Sequence, residues 1–142
     1  MKGYLLDVNL LIALAWPNHP QHGKADAWFA KQRDEGWGTC MVTQLGFVRV
    51  SSHPAVESHV STPEALQKLM EIIDTPGHSF WSEPSGGYRN EEFSKTIPST
   101  LTHGSVTDGY LATVACLNGG KLATLDRSLN KSFSAISVLV GD

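Results

Sequence analysis

Residues 4–16 read YLLDVNLLIALAW, an apolar run in which the one charged residue is Asp7. The segment GYLLDV, residues 3–8, is short and apolar and is bounded by glycine and Asn9, which predicts a buried strand. Asn9 is then expected to cap the helix LLIALAW that follows. A carboxylate buried without a partner costs on the order of several kcal/mol, so Asp7 needs a reason to be there.

Outward from this stretch, strand-like and helix-like segments alternate along the chain. Further strands are predicted at WGTCMVT (37–43), HSFW, KLATLD and SVLV, and helices at QHGKADAWFAKQRDEG, QLGFVRVSS, TPEALQKLMEIID and VTDGYLATVACL. Residues 82–105 are rich in Gly, Ser, Pro and charge, and a loop around one short helix near NEEFSK is expected there. Alternating strands and helices imply right-handed βαβ units, hence an α/β fold with a parallel sheet covered on both faces.

The composition is that of a soluble globular protein and predicts one domain over residues 1–142. Hydrophobic residues make up 41% and charged residues 18% of the chain. No apolar run reaches the roughly 18 residues of a membrane span, and no secretory signal pattern is visible. Cys40 and Cys116 lie in apolar stretches, so we expect two buried thiols in a reducing cytoplasm. The net charge of −3 argues against a general nucleic-acid coat protein.

Three aspartates are predicted to meet at one edge of the sheet. Asp7 ends the first strand and Asp126 ends KLATLD, and the carboxyl ends of central parallel strands border the ligand crevice of such sheets. Asp108 opens a helix on the same face as Ala112 and Ala115, which directs it toward the sheet. The three carboxylates are therefore expected to converge.

Each aspartate also has a simpler interpretation. Ser105 with Asp108 fits a capping box at a helix start, and Asp126 in DRSLN fits a turn after a strand. Taken together, however, three carboxylates at one crevice would repel each other by roughly 4 kcal/mol per close pair, a cost that a bound cation removes. All-oxygen ligation favours Mg²⁺ or Mn²⁺, and phosphodiester hydrolysis by metal-activated water is the natural reaction class.

The motifs that hold these aspartates resemble the PIN-domain ribonucleases, and within them the VapC toxins of bacterial toxin–antitoxin pairs. LLDVNLLIALAWPNHPQHGKADAWF is similar to the family's opening segment, GTCMVTQLGFVRVSS to its second motif, and HGSVTDGYLATVACLNGGKLATLDRSL to its closing half. The likeness spans nearly the whole chain, with several motifs in the right order.

The resemblance implies a three-layer α/β/α sandwich with a central, mainly parallel sheet. It also implies metal-dependent RNA cleavage, with Asp7, Asp108 and Asp126 as the catalytic and metal-binding residues. A homodimer and a small antitoxin protein that blocks the site are implied as partners, in the cytoplasm and away from membranes.

One position departs from the family pattern. The second motif usually carries a glutamate where this sequence has Gln44, which can offer a metal only a neutral oxygen. This departure puts the activity in question and leaves the fold unaffected. Asn9 and Thr124 are expected to support Asp7 and Asp126 by hydrogen bonds, or else to satisfy strand and helix ends, and Arg127 is a candidate phosphate contact or a plain surface residue.

Two alternative functions stay open from the sequence. A PIN fold weakened by Gln44 would bind RNA or protein without cutting. A haloacid-dehalogenase-like phosphatase would use a strand-end aspartate as nucleophile, but it needs a second aspartate two residues later, where Asn9 stands. The pair His19 and His22 has a spacing that could suit zinc but lacks a third ligand nearby, so surface histidines are the simpler interpretation.

Overall fold

One sheet runs through the residues that the computed structural model describes, 3–141. Its strands are β1 (Tyr4–Leu6), β2 (Trp37–Thr39), β3 (His78–Phe80), β4 (Lys121–Thr124) and β5 (Ser137–Leu139). Their order across the sheet is β3-β2-β1-β4-β5, and every neighbouring pair is parallel. The predicted parallel sheet is therefore confirmed.

The helices follow the predicted alternation. They are α1 (Val8–Ala15), α2 (His22–Gln32), α3 (Met41–Ser51), α4 (Thr62–Ile73), α5 (Glu92–Thr96), α6 (Val106–Leu117) and α7 (Arg127–Ser132), with short 3₁₀ turns at Arg33–Glu35, Gly87–Arg89 and His103–Ser105. The short helix expected near NEEFSK is α5. Helix α7 was not predicted as a helix. Within residues 3–141, no helix has the length and apolar character needed to cross a membrane.

Helices cover both faces of the sheet, which confirms the three-layer α/β/α architecture. On one face, Leu6 and Trp37 are buried in a core cluster shared with α1 to α4. On the other, Leu5 and Leu122 are buried against α6 and α7. The alternation of Leu5 and Leu6 between the two clusters is the period of two that a strand imposes, and both are fully buried.

The second strand is shorter than predicted and its helix begins earlier. The sequence indicated a strand over 37–43, but β2 ends at Thr39 and α3 begins at Met41. The reason is local, because the Thr43 hydroxyl accepts a hydrogen bond from the Cys40 backbone N–H at 3.0 Å and caps the helix. Gln44 consequently lies in the first turn of α3 and not at its start.

The first strand is also shorter, and its helix is capped by a different residue. The predicted strand over 3–8 is reduced to Tyr4–Leu6, and the cap of α1 is Asp7 instead of Asn9. The Asp7 carboxylate accepts the backbone N–H of Val8, the first residue of α1, at 2.8 Å. Likewise, β4 ends at Thr124 and not at Asp126.

The two cysteines differ in exposure. Cys40 is fully buried beneath the start of α3, as expected. The expectation for Cys116 was wrong, because its thiol is exposed. Cys116 lies in the last turn of α6, beyond the stretch from Leu111 to Ala115 that the helix buries.

Candidate active site

The site lies at the point where the strand order of the sheet reverses, between β1 and its two neighbours. Strand β1 is central, with β2 on one side and β4 on the other, and ligands of open parallel sheets bind beyond the carboxyl ends of strands at such a switch point. Leu6 is aligned with Ala123, and the Asp7 N–H bonds the Ala123 carbonyl at 2.9 Å. Asp7 is therefore level with Thr124, the last residue of β4.

Asp7 is held in the interior by two hydrogen bonds. Its side chain is 7% exposed. One carboxylate oxygen accepts the Val8 N–H at 2.8 Å, and the other accepts the Thr124 hydroxyl at 2.7 Å. Burial raises the pKa of Asp7 and Asp126 raises it further, while the bonds from Thr124 and Val8 act in the opposite direction.

Thr124 connects the acidic residues. Its hydroxyl donates to Asp7 and accepts the backbone N–H of Asp126 at 3.0 Å. The Asn9 amide also donates to this hydroxyl at 3.4 Å, and the Asn9 oxygen accepts the Leu125 N–H at 3.1 Å. The expected contact of Thr124 with Asp7 is present, whereas Asn9 reaches Asp7 only through Thr124.

Asp108 is half-buried in the first turn of α6. Burial, together with the negative charges of Asp7 and Asp126, raises its pKa from the ordinary 3.8 to about 6. The capping interpretation is wrong, because Ser105 makes no side-chain cap to α6 and its hydroxyl donates to the Thr102 carbonyl at 3.2 Å. The convergence of the three carboxylates on one metal ion stays a prediction.

Asp126 is the most exposed of the three and also caps a helix. Its carboxylate accepts the Leu129 N–H at 3.2 Å, at the N-terminus of α7. Asp126 thus follows β4 and begins a helix, where the simpler interpretation expected a turn. One carboxylate both caps α7 and raises the pKa of Asp108.

The three carboxylates are of the chemical type that binds a hard divalent cation. Carboxylate oxygens are the ligands that Mg²⁺ and Mn²⁺ prefer, and the mutual repulsion of the aspartates is what a cation would relieve. Across residues 3–141, however, no three acidic, histidine or cysteine side chains are gathered so that they could hold a metal as they stand. Asp7 and Asp126 instead direct their carboxylates toward the N-termini of α1 and α7.

Gln44 approaches the same edge from α3. Its amide nitrogen donates to the Thr39 hydroxyl at 3.0 Å, and Thr39 is the last residue of β2. Thr39 lies at the same end of the sheet as Asp7, on the strand next to β1. The Thr39 hydroxyl also contacts His78 Nε2 at 2.8 Å. Thr39 and His78 were missed in the sequence, where the available signal was a hydroxyl ending a buried strand.

The remaining candidates lie apart from this network or at its edge. Arg127 begins α7 directly after Asp126 and is exposed. His22 donates from Nδ1 to the Ala13 carbonyl at 2.7 Å, and His19 Nδ1 accepts the Gln21 N–H at 3.0 Å. Both histidines thus use a ring nitrogen on the backbone, which agrees with the simpler interpretation.

Comparison with characterised proteins identifies the family. The chain is 38% identical to the ribonuclease VapC39 of Mycobacterium tuberculosis over 138 residues, which cover 92% of this chain and 94% of the relative. It is 39% identical to VapC44 of the same organism over 127 residues, or 88% and 87% of the two chains. The chain belongs to the VapC family of ribonucleases. No family model matches it.

Solved VapC structures share the fold at low sequence identity. M. tuberculosis VapC20, a toxin that cleaves the sarcin–ricin loop, matches with a TM-score of 0.65 and 13% identity over 94% of each chain. VapBC2 of Rickettsia felis, bound to a DNA fragment from its promoter, matches with a TM-score of 0.65 and 14% identity over 99% of each chain. These matches agree with the PIN-like architecture inferred from the sequence.

Proposed function

We propose that this VapC-family protein is a Mg²⁺- or Mn²⁺-dependent endoribonuclease that acts as the toxin of a toxin–antitoxin pair. The observation that carries the proposal is the placement of Asp7 and Asp126 beyond the ends of β1 and β4, where the Thr124 hydroxyl bonds both residues. Burial, with the charges of Asp7 and Asp126, also raises the pKa of Asp108 to about 6. Such a site is costly for the folded protein unless a cation is bound.

Each of the three aspartates has its own role in the proposed metal site. Asp7 supplies a fixed carboxylate, since Val8 and Thr124 each occupy one lone pair of its oxygens and leave others available. Asp108 and Asp126 supply the remaining charge from the N-termini of α6 and α7. A bound Mg²⁺ or Mn²⁺ would act as a Lewis acid toward a phosphoryl oxygen and make water a stronger nucleophile at neutral pH.

The substrate and partner follow from the family. VapC39 and VapC44 are ribonucleases, and VapC20 cleaves the sarcin–ricin loop. VapC20 and this chain share only the fold, so RNA is proposed as the substrate without a sequence. An antitoxin that inserts an arginine among the carboxylates would suit the site, since a guanidinium binds paired carboxylates in a bidentate way. A homodimer in the cytoplasm is proposed on the same family grounds.

The main competing function is a PIN fold that binds RNA or protein without cutting it. Gln44 favours this alternative, because it leaves the site with one carboxylate fewer than the family pattern. The phosphatase alternative has lost its support, because the family is established and Asn9 is engaged with Thr124 and Leu125.

Replacing single carboxylates tests the proposed activity. Asp7→Asn, Asp108→Asn and Asp126→Asn should each lower RNA cleavage by on the order of a hundredfold or more, because each removes charge that a cation needs. Folding should be retained, because asparagine can cap α1 and α7 in place of Asp7 and Asp126, and Asp108 is not a helix N-cap. Asp26→Asn, on the exposed side of α2, is the matched control and should cut normally.

Chelation and end-group analysis complete this test. Excess chelator should abolish cleavage, added Mn²⁺ should restore it, and the products should carry 5′-phosphate and 3′-hydroxyl ends. Cleavage that continues in chelator and leaves 2′,3′-cyclic phosphates would exclude the metal mechanism. Specific RNA binding without any cleavage would support the competing function.

A further inference from the structure

Three side chains on three elements form one continuous chain of hydrogen bonds. The Gln44 amide nitrogen on α3 donates to the Thr39 hydroxyl of β2 at 3.0 Å, and that hydroxyl lies 2.8 Å from His78 Nε2 on β3. Thr39 is fully buried, and among residues 3–141 its hydroxyl bonds these two side chains alone. Its proton must therefore find an acceptor within the chain.

With a neutral His78, every bond of the chain runs in the same direction. Because the Thr39 oxygen accepts from Gln44, the Thr39 proton needs an acceptor, and His78 Nε2 is within reach. That nitrogen is then bare, and the ring proton lies on Nδ1. Burial lowers the pKa of His78 below the ordinary 6.5, which favours the neutral ring near pH 7.

Few charged groups act on the His78 ring. Asp74, at the C-terminal end of α4, raises the pKa of His78 and offsets part of the effect of burial. Arg33, whose backbone carbonyl lies beside Gly77, does not act on the ring. The groups that β2 and α3 bring to the chain are aromatic, hydroxyl and amide groups, which do not titrate near neutral pH. His78 is therefore the titrating member of the chain.

A proton on His78 Nε2 changes this end of the chain from an acceptor to a donor. The Thr39 oxygen then accepts from His78, and the Thr39 proton needs a different acceptor. Gln44 can supply it, because half a turn of its amide presents the carbonyl oxygen to Thr39. All groups of the chain are then paired again, with each bond reversed.

The packing of the ring favours this reversal over a loss of the contact with Thr39. The His78 ring packs edge-on against Trp37, with the ring centroids 4.9 Å apart. Trp37 is 2% exposed, and its indole nitrogen donates to the Pro76 carbonyl at 3.2 Å. His78 is thus held in place, whereas Gln44 is only half-buried in the first turn of α3 and has room to turn its amide.

We propose that His78, Thr39 and Gln44 form a pH-dependent relay, in which protonation of His78 reverses the chain and turns the Gln44 amide. Near neutral pH the amide nitrogen faces Thr39, and under mildly acidic conditions the amide oxygen does. The polar group that α3 presents at Gln44 therefore depends on pH. The relay depends neither on the proposed cleavage activity nor on a metal ion.

Side-chain NMR of the full-length, metal-free protein between pH 8 and pH 5 tests the relay. At pH 8, nitrogen-15 shifts should show His78 with a bare Nε2 and a proton on Nδ1. On acidification, the Gln44 amide signals should move with the same midpoint as His78, below pH 6.5. Relative to the exposed Gln67 on α4, solvent exchange of the Gln44 amide protons should become roughly tenfold faster, because their buried hydrogen bond is lost.

Substitutions at both ends of the relay separate it from a fixed structural contact. His78→Phe keeps a ring against Trp37 but removes the acceptor, so Gln44 should show at pH 8 the amide signals of the acidified wild type. Thr39→Val should leave Gln44 unresponsive to His78, and Thr39→Ser, which keeps the buried hydroxyl, should retain the response. The matched control is His59→Phe at an exposed ring that bonds its own loop, and it should leave the Gln44 titration unchanged.

Three results would overturn the relay. The first is a proton on His78 Nε2 at pH 8, since the chain would then already run in the reversed direction. The second is a Gln44 amide that responds neither to acidification nor to His78→Phe. The third is a His78 ring that leaves Thr39 on acidification while the Gln44 amide keeps its orientation.

Discussion

At the scale of single residues, Asp7 shows how a charge is tolerated in an apolar run. It caps α1 and accepts the Thr124 hydroxyl, so neither carboxylate oxygen is left without a partner. Its pKa is nevertheless raised, which means that these bonds do not fully compensate burial. The proposed cation would stabilise the charged form of this carboxylate.

Gln44→Glu tests whether position 44 belongs to the site. A carboxylate there adds one negative charge near the proposed ion, which is worth on the order of a few kcal/mol when screening is partial. Metal affinity should rise about tenfold or more. Without metal, the added repulsion should lower the melting temperature, and Mn²⁺ should restore it by ligand-linked stabilisation. Calorimetric titration and melting curves, with metal and with chelator, measure both effects.

The matched control is Gln67→Glu on the exposed side of α4, which adds the same charge away from the crevice. Gln67→Glu should change neither the metal affinity nor the metal-dependent melting temperature. If Gln44→Glu behaves like Gln67→Glu, position 44 lies outside the site, and the family's second motif does not extend to this residue.

His78 should make the stability of the protein depend on pH. Its pKa in the folded chain lies below the ordinary 6.5, because burial disfavours the charged ring. The unfolded chain therefore binds a proton at His78 more readily than the folded chain does. The free energy of unfolding is consequently highest above about pH 6.5, and it declines as the pH falls toward the pKa of folded His78. Urea unfolding from pH 8 to pH 5 should show a smaller loss for His78→Gln, whose amide oxygen can still accept from Thr39. A His59→Gln variant, altered at an exposed site, should follow the wild type.

At the scale of elements, the sequence predicts which segments are strands and helices better than it predicts where they end. The apolar runs around Leu5, Trp37 and Leu122 were recognisable because burial on both faces needs continuous apolar residues. The ends depend on side-chain bonds to the backbone. Thr43 looked like a strand residue yet caps α3, and Asp126 looked like a turn residue yet caps α7. Such bonds leave no periodic pattern in the sequence.

Gly46 sets the distance between α1 and α3, and its replacement should disturb the site. A Cβ at this position would lie 2.6 Å from Val8 Cγ2, and a β-branched side chain has little freedom to move away. Gly46→Ala should therefore destabilise the fold by about 1–3 kcal/mol and weaken metal binding by displacing the start of α1. Urea unfolding and metal titration measure the two effects.

Gly23→Ala on α2 is the control for Gly46→Ala, because an added methyl group meets no atom within 4 Å there. It should stabilise the protein by about 0.5–1 kcal/mol through the lower entropy of the unfolded chain. Equal effects of the two substitutions would mean that α1 and α3 are not in close contact at Gly46.

At the scale of the whole molecule, the strand order explains why the positions of Asp7 and Asp126 at one end of the sheet could be predicted and the contact between Thr39 and His78 could not. Alternating strands and helices imply a parallel sheet, and a parallel sheet places Asp7 and Asp126 at one edge. The contact between Thr39 and His78 joins residues 39 positions apart on neighbouring strands. No sequence motif around Thr39 or His78 indicates that the two residues meet. Their contact depends on how β2 and β3 are aligned in the sheet.

The proposed antitoxin gives a prediction at the scale of the whole molecule. Expressed alone, the protein should slow growth, and a short protein encoded beside it should copurify with it and suppress RNA cleavage through an inserted arginine. Replacing that arginine with alanine should restore cleavage. The control is Asp7→Asn, which should be harmless when expressed alone. A wild-type protein that cuts RNA in cells without slowing growth, and has no such neighbour, would be a nuclease without a toxin role.

The bond between Asp7 and Thr124 spans 117 positions of the chain. During synthesis, β1 leaves the ribosome long before β4, its central partner in the sheet, has been made. Until then Asp7 lacks its hydroxyl donor, and Asp108 and Asp126 are still to be translated. A nascent or prematurely terminated chain therefore has no assembled site. The proposed site therefore exists only after nearly the whole chain has been translated.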